Sequence, residues 1–193
     1  MPHLMLKDLP RYECLLEAAR EFPDLDPTAA EAYLHLLRTA DDVFAISDAQ
    51  LAAHGISHGR FGVLMLLWRT SAPRTGDVPI TQGPCGPRTP AELADAAGVT
   101  RATMTGLVDT LERDGFVVRE PDPSDRRMLL VRLTRKGENF LARFLPIHFR
   151  YAREVMGALS EAERKTLVRL LGKVQQQTAR HPLSRSAPVA KSA

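Results

Sequence analysis

The stretch from 89 to 137 reads TPAELADAAGVTRATMTGLVDTLERDGFVVREPDPSDRRMLLVRLTRKG, and it decides the fold. A capping-box pattern at 89–92, with proline at the first helical position, opens a short helix that ends near Gly98. Thr100 caps a second helix, which runs to about Asp114. Two short helices joined by so tight a turn form a helix-turn-helix.

A β-hairpin directly follows the second helix. Residues 116–120 and 129–133 are rich in strand-forming side chains, and 121–125 between them are Pro, Asp and Ser, the residues of turns. A two-stranded ribbon in this position is a wing, and its tip carries the adjacent arginines Arg126 and Arg127. The sequence therefore predicts a mainly helical (α+β) protein with a small β-wing, which is a winged helix-turn-helix.

The start of the second helix is small and polar, with one arginine. In a helix-turn-helix these positions meet base edges in the major groove, while an arginine at a wing tip suits the narrow minor groove. The other interpretation is a plain helical hairpin with a solvated, ion-paired turn. The predicted DNA-binding residues are Thr100, Arg101, Thr103, Thr105, Gly106, Asp125, Arg126 and Arg127.

The same stretch resembles the MarR family of winged-helix transcriptional regulators. Three segments carry the resemblance, 99–117, 125–127 and 131–137, and it extends over about 28–178. Its most specific parts are the Asp-x-Arg pattern of the wing and the Leu-Thr-x-x-Gly pattern that opens the next helix. The loop at 72–88 looks longer than is usual for the family.

The resemblance implies a homodimer in which the first helix and the last two intertwine. It implies a repressor on a pseudo-palindromic operator, released by a small aromatic or phenolic effector. By motif match, Arg127 is the minor-groove arginine, Asp125 its orienting partner, and 100–106 the segment that reads the major groove. The partners expected are therefore double-stranded DNA, a second copy of the chain and the effector.

Composition shifts divide the chain into five parts. Seven of the 17 residues from 72 to 88 are Pro or Gly, which is typical of a loop. The helix expected at 57–71 is apolar on almost every side and should be buried. The predicted parts are an N-terminal extension with a short helix at 1–26, a helical dimerisation lobe from 27–71 and 135–178, the loop at 72–88, the winged helix-turn-helix at 89–134 and a disordered tail at 179–193.

The terminal helices carry more apolar side chains than one protomer is expected to bury. A lone protomer is expected to expose the large side chains of Phe140, Phe144, Leu167, Leu170 and Leu171. This pattern favours a dimer.

An effector pocket is expected where the helix at 57–71 meets the long helix after the wing. An arginine among aromatic side chains suits an aromatic carboxylate. The competing interpretation is that the apolar members are core and Arg60 is a surface cation. The predicted pocket residues are His58, Arg60, Phe61, Met65 and Trp68.

Charge and composition limit the function classes. Residues 1–60 carry a net charge of −5 and 61–193 a net charge of +8, which favours a polyanionic partner for the second part. The sequence has no apolar run of about 18 residues and no secretory signal, so we expect a cytoplasmic, nucleoid-associated protein.

The sequence contains no His-Glu-x-x-His or Cys-x-x-Cys motif. We therefore expect no catalytic residues, no cofactor and no metal. The alternative function is a protein-interaction module whose winged helix no longer binds DNA. Salt dependence separates the two, since only phosphate contacts give a steep fall in affinity with salt.

Overall fold

The computed structural model describes residue 6 and residues 8–71, 87–125 and 127–181. The order of elements matches the order that the sequence predicts. The elements are α1 (Tyr12–Glu21), α2 (Pro27–Ala53), α3 (His58–Ser71), α4 (Pro90–Ala97), α5 (Arg101–Arg113), β1 (Val117–Pro121), β2 (Leu129–Leu133), α6 (Arg135–Val155), a 3₁₀ turn (Met156–Ala158) and α7 (Glu161–Arg180).

Side-chain caps determine where most of these helices begin. Asp26, Thr100 and Thr134 each accept a backbone N–H at the start of α2, α5 and α6. The capping boxes headed by Thr89 and Ser160 are both complete, with the glutamate three residues on bonding back. Each such cap contributes about 1 kcal/mol, which is why these starts could be predicted from local sequence.

Helix ends differ from the prediction by a few residues. The long helix after the wing, expected to reach about Leu159, ends at Val155 and is followed by the 3₁₀ turn. Helix α7 continues to Arg180, two residues into the predicted tail at 179–193, and residues 182–193 lie outside the described part. Among the described residues, no helix combines the length and the apolarity that a bilayer span requires.

Backbone contacts divide the chain into two compact units, Met1–His58 and Gly59–Ala193. In the first unit α1 packs on α2, Leu15 and Leu51 are buried, and the Arg38 guanidinium donates to the Leu6 carbonyl at 2.9 Å. The predicted dimerisation lobe draws on both units, and it stays a prediction.

The core of the second unit joins α3, the helix-turn-helix, the hairpin and α6. The hairpin is antiparallel, with Val117 opposite Leu133, and a further bridge pairs Arg88 with Val131. The burial predicted for α3 is confirmed. The apolar residues of this unit that are exposed by 2% or less are Val63, Leu64, Leu67, Leu93, Ala94, Met104, Val108, Leu111, Val117, Val131, Leu141 and Phe144.

Of the five apolar residues expected to be exposed in a lone protomer, Leu170 is exposed, Phe140, Leu167 and Leu171 are half-buried, and Phe144 is internal. Phe144 was expected to be exposed in a lone protomer, but it is only 1% exposed. It packs edge-on against Phe61 of α3, with the ring centroids 5.3 Å apart, and stacks on Phe140 of its own helix. Phe144 therefore belongs to the core of the protomer.

The Leu-Thr-x-x-Gly pattern has a steric origin. A Cβ at Gly137 would overlap the carbonyl oxygen of Phe116, so the first turn of α6 approaches the end of the helix-turn-helix as closely as backbone allows. Thr134 fixes the same approach, because its backbone N–H donates to the Phe116 carbonyl and its hydroxyl to the Gly115 carbonyl. Glycine is therefore required at position 137.

Candidate nucleic-acid interface

Helix α5 has one buried face and one exposed face. Met104 and Val108 are fully buried on the inner face, next to α4 and the hairpin. The helical period therefore places the opposite face of α5 toward solvent. All five predicted reading residues are exposed: Thr100, Arg101, Thr103, Thr105 and Gly106.

The threonine hydroxyls of this face bond within the helix. Thr105 donates to the Arg101 carbonyl at 2.9 Å, and the hydroxyls of Thr100 and Thr103 lie 2.8 Å apart. Their methyl groups and remaining lone pairs stay available to a ligand. Within the described residues, the Arg101 guanidinium takes part in no hydrogen bond or ion pair.

Gly106 sits in the interior of α5 without a packing reason. A Cβ at this position would meet nothing within 4 Å. Glycine inside a helix costs about 1 kcal/mol relative to alanine, because its backbone loses more conformational freedom. The fold of the protomer therefore gains nothing from glycine here.

The wing tip is ordered by Asx turns. The Asp122 carboxylate accepts the Ser124 N–H at 2.7 Å and also its hydroxyl, and both bonds lower the pKa of Asp122. The Asp125 carboxylate accepts the backbone N–H of Arg127 at 3.0 Å. Among the described residues, Asp125 contacts the backbone of Arg127 and not its guanidinium, so the predicted role of Asp125 in holding a guanidinium stays a prediction.

Of the two wing-tip arginines, the structure describes Arg127 alone. Arg127 is exposed, and its guanidinium forms no hydrogen bond or ion pair with the described residues. Arg126 lies outside the described part of the chain. The DNA-binding roles of both residues remain predictions.

An ion-pair network that sequence reasoning missed joins α5 to the wing. Arg119 of β1 bonds to Glu112 and Asp109 of α5, each at 2.5 Å, and its backbone N–H donates to Glu112 at 2.9 Å. Burial acts to lower the pKa of Arg119, but the bonds to Asp109 and Glu112 outweigh burial and raise it. The partners lie seven and ten positions apart across a turn, where no local pattern relates them.

A second network ties the end of α5 to α3 and α6. The Arg60 guanidinium donates to the Asp114 carboxylate, and the Lys136 ammonium donates to the Asp114 carbonyl at 2.7 Å. Both cations also lie over the Phe116 ring, Arg60 at 5.9 Å and Lys136 at 4.9 Å from its centroid. Arg60, the cation predicted to bind the effector, therefore already contacts a carboxylate of its own protomer.

His58, the first predicted pocket residue, is held by α2. Its Nδ1 lies 3.1 Å from the Asp48 carboxylate and its Nε2 lies 3.1 Å from the Ser47 hydroxyl. Its ring stacks on Phe44 at 4.2 Å. Neighbours within the first unit thus occupy both ring nitrogens and one ring face.

The apolar pocket candidates differ in burial. Phe61 is buried and packs against Phe144 and His148, which agrees with the competing interpretation of this residue as core. Met65 and Trp68 are half-buried. Their assignment to an effector pocket stays a prediction.

Comparison with known proteins gives consistent results. Residues 81–129 match the sequence profile described as the MarR family. The HTH-type transcriptional repressor YetL of Bacillus subtilis is 35% identical over 167 residues, which cover 86% of this chain and 92% of YetL.

Solved structures extend the likeness to the fold. Sco3205 of Streptomyces coelicolor, a MarR family transcriptional regulator solved in complex with DNA, is 26% identical with a TM-score of 0.66, covering 89% of this chain and 92% of that one. BpsR of Bordetella bronchiseptica is 26% identical with a TM-score of 0.58, covering 75% and 98%. Its structure is described as a mechanism for regulation of DNA binding by 6-hydroxynicotinic acid.

Proposed function

This chain belongs to the MarR family of winged helix-turn-helix transcriptional regulators, and from that premise we propose that it is a homodimeric repressor released from its operator by a small aromatic acid. Family membership makes it a DNA-binding transcriptional regulator and not an enzyme. The dimer, the operator symmetry, the effector and the roles of individual residues are the proposed parts. The protein acts where the chromosome is, in the cytoplasm.

One observation supports the DNA-binding assignment most directly. Arg101 on α5 and Arg127 at the wing tip belong to the same compact unit, and neither guanidinium has a partner among the described residues. An exposed arginine next to small residues suits a base edge or phosphate in the major groove, and a wing-tip arginine suits the minor groove. We assign Thr100, Thr103, Thr105 and Gly106 to the same reading surface.

The homodimer is supported by apolar faces that a protomer leaves open. No described residue of α7 is buried, although the helix is 20 residues long. A soluble monomer rarely leaves so much apolar surface exposed. The large side chains exposed by 40% or more on α2, α6 and α7 are Tyr33, Phe44, Ile46, Ile147, Phe149, Val168, Leu170 and Val174.

Two-fold symmetry then determines the operator. A symmetric dimer presents two α5 helices, so it reads a pseudo-palindrome whose half-sites lie about one helical turn apart. An effector that prefers a dimer with a different spacing lowers DNA affinity by its differential affinity for the two shapes. An aromatic carboxylate suits this role, because it competes with Asp114 for Arg60.

Nuclease footprinting on the DNA upstream of the protein's own gene tests the proposal. We expect two protected half-sites about one helical turn apart, and we expect protection to weaken when hydroxybenzoate or 6-hydroxynicotinate is added. Size-exclusion chromatography with light scattering should give twice the mass of one chain. A monomer, or a single asymmetric protected segment, would contradict the proposal.

A further inference from the structure

We propose that Arg119 is a positioning residue for DNA recognition, which holds the wing at a fixed place relative to α5 and partly offsets the charge of two carboxylates on the flank of the reading surface. This inference rests on the proposed function. It adds a residue that makes no DNA contact of its own and yet determines sequence selectivity.

The geometry of the contact leaves Arg119 no rotational freedom. Glu112 accepts from both its backbone N–H and its Nη1, and Asp109 accepts from its Nη2. Two terminal nitrogens bonded to two different carboxylates, together with a bonded backbone, hold both the strand and the guanidinium. Arginine alone provides this planar fork.

The pairing of the hairpin strands links the orientation of Arg119 to that of the wing tip. Arg119 lies opposite Val131, which is fully buried and bridged on its other side to Arg88. Farther along the hairpin, Arg132 pairs with Glu120 across the strands. The base of the wing is therefore rigid. The contacts of Arg119 determine the direction of the hairpin relative to α5, and so the place of Arg127 at its tip.

Charge gives the network a second role. Asp109 lies one helical turn after Thr105 and is 59% exposed, on the flank of the surface assigned to DNA. An uncompensated carboxylate there repels phosphate oxygens. Arg119 offsets one of the two carboxylate charges. Because its side chain is only 18% exposed, its positive charge stays against Asp109 and Glu112 and away from DNA.

Arg119→Lys is the test, because lysine keeps the charge and loses the fork. Anisotropy titrations would use the duplex protected in the upstream footprint and a random duplex of equal composition, at several salt concentrations. We expect about tenfold weaker binding to the protected duplex and unchanged binding to the random duplex. Arg20→Lys, the same exchange at an exposed arginine of α1 in the first unit, should leave both affinities unchanged.

Three results would overturn the inference. An unchanged ratio of the two affinities, even with a lower melting temperature, would make Arg119 merely structural. A loss of affinity for the random duplex as large as the loss for the protected duplex would make it a phosphate contact. Equal, salt-insensitive binding of both duplexes by the unmodified protein would overturn the proposed function as well.

Should Arg119→Lys fail to fold, Glu112→Gln serves in its place. Glutamine keeps an acceptor for the Arg119 N–H and loses the charge. We expect a smaller loss of selectivity in the same direction, and an unchanged ratio of affinities would again overturn the inference.

Discussion

The Arg60 guanidinium on α3 donates a hydrogen bond to the carboxylate of Asp114, the residue that ends α5. Arg60 is mostly buried, and Lys136 of α6 bonds to the carbonyl of the same aspartate. The end of the reading helix is thereby tied to two helices outside the helix-turn-helix. On the proposed function, a ligand that draws Arg60 away removes one of these two ties, so we expect effector binding to act on α5 through this ion pair.

Asp114→Asn tests that route. The amide is a weaker partner for Arg60, so we expect stability to fall by about 1 kcal/mol and the DNA-bound fraction to respond less to aromatic acids. Urea unfolding gives the stability, and anisotropy with and without hydroxybenzoate gives the response. A response equal to that of the unmodified protein would show that the signal bypasses this ion pair.

Arg127→Ala should weaken operator binding by about 1–3 kcal/mol and reduce the salt slope by about one, because a groove or phosphate contact is lost. The matched control is Arg20→Ala, an exposed arginine of α1 in the first unit, which changes net charge equally. Anisotropy at several salt concentrations measures both variants. Equal behaviour of the two variants would remove the wing tip from the interface.

Gly106→Ala should raise stability and weaken DNA binding at once. Alanine is worth about 1 kcal/mol in a helix interior, and its methyl meets nothing in the free protein but lies where DNA must approach. Gly62→Ala on α3, also exposed with open space around it, should stabilise without affecting DNA. Thermal melts measure the stability of both variants, and anisotropy measures their DNA affinity. An undiminished DNA affinity of Gly106→Ala would show that DNA does not approach α5 closely at this residue.

Gly137→Ala should destabilise the protein by about 1–3 kcal/mol, because the added methyl overlaps the Phe116 carbonyl oxygen and backbone must move. Chemical denaturation measures the change. A stability equal to that of the unmodified protein would mean that α6 does not approach Phe116 so closely.

The ion pair of Glu120 with Arg132 should make the free energy of unfolding fall at acid pH. Its hydrogen bond from Arg132 lowers the pKa of Glu120 below the 4.5 of an ordinary glutamate, so the carboxylate stabilises the fold above that value. This contribution is lost as the pH falls through the folded-state pKa. Urea midpoints from about pH 7 to about pH 3 should show Glu120→Gln less stable than the unmodified protein at neutral pH and converging with it in acid. A constant difference across that range would contradict the assignment.

Local signals made much of the architecture predictable. The caps at Asp26, Thr89 and Thr134, the apolar α3 and the turn before Arg127 each depend on residues within a few positions. The networks of Arg119 and Arg60 were not predicted, because each bond joins different elements of the fold. Only the assembled fold shows that Arg60 already has Asp114 as a partner.

The most direct test of the central claim is fluorescence anisotropy of the purified protein on duplex DNA from upstream of its own gene, at two salt concentrations, with random duplex as control. Binding through α5 and the wing predicts tight association with the upstream duplex, weaker association with the random one and a steep loss of affinity at the higher salt. Weak binding that is equal for both duplexes and indifferent to salt would contradict it, and would favour a protein partner for the winged helix.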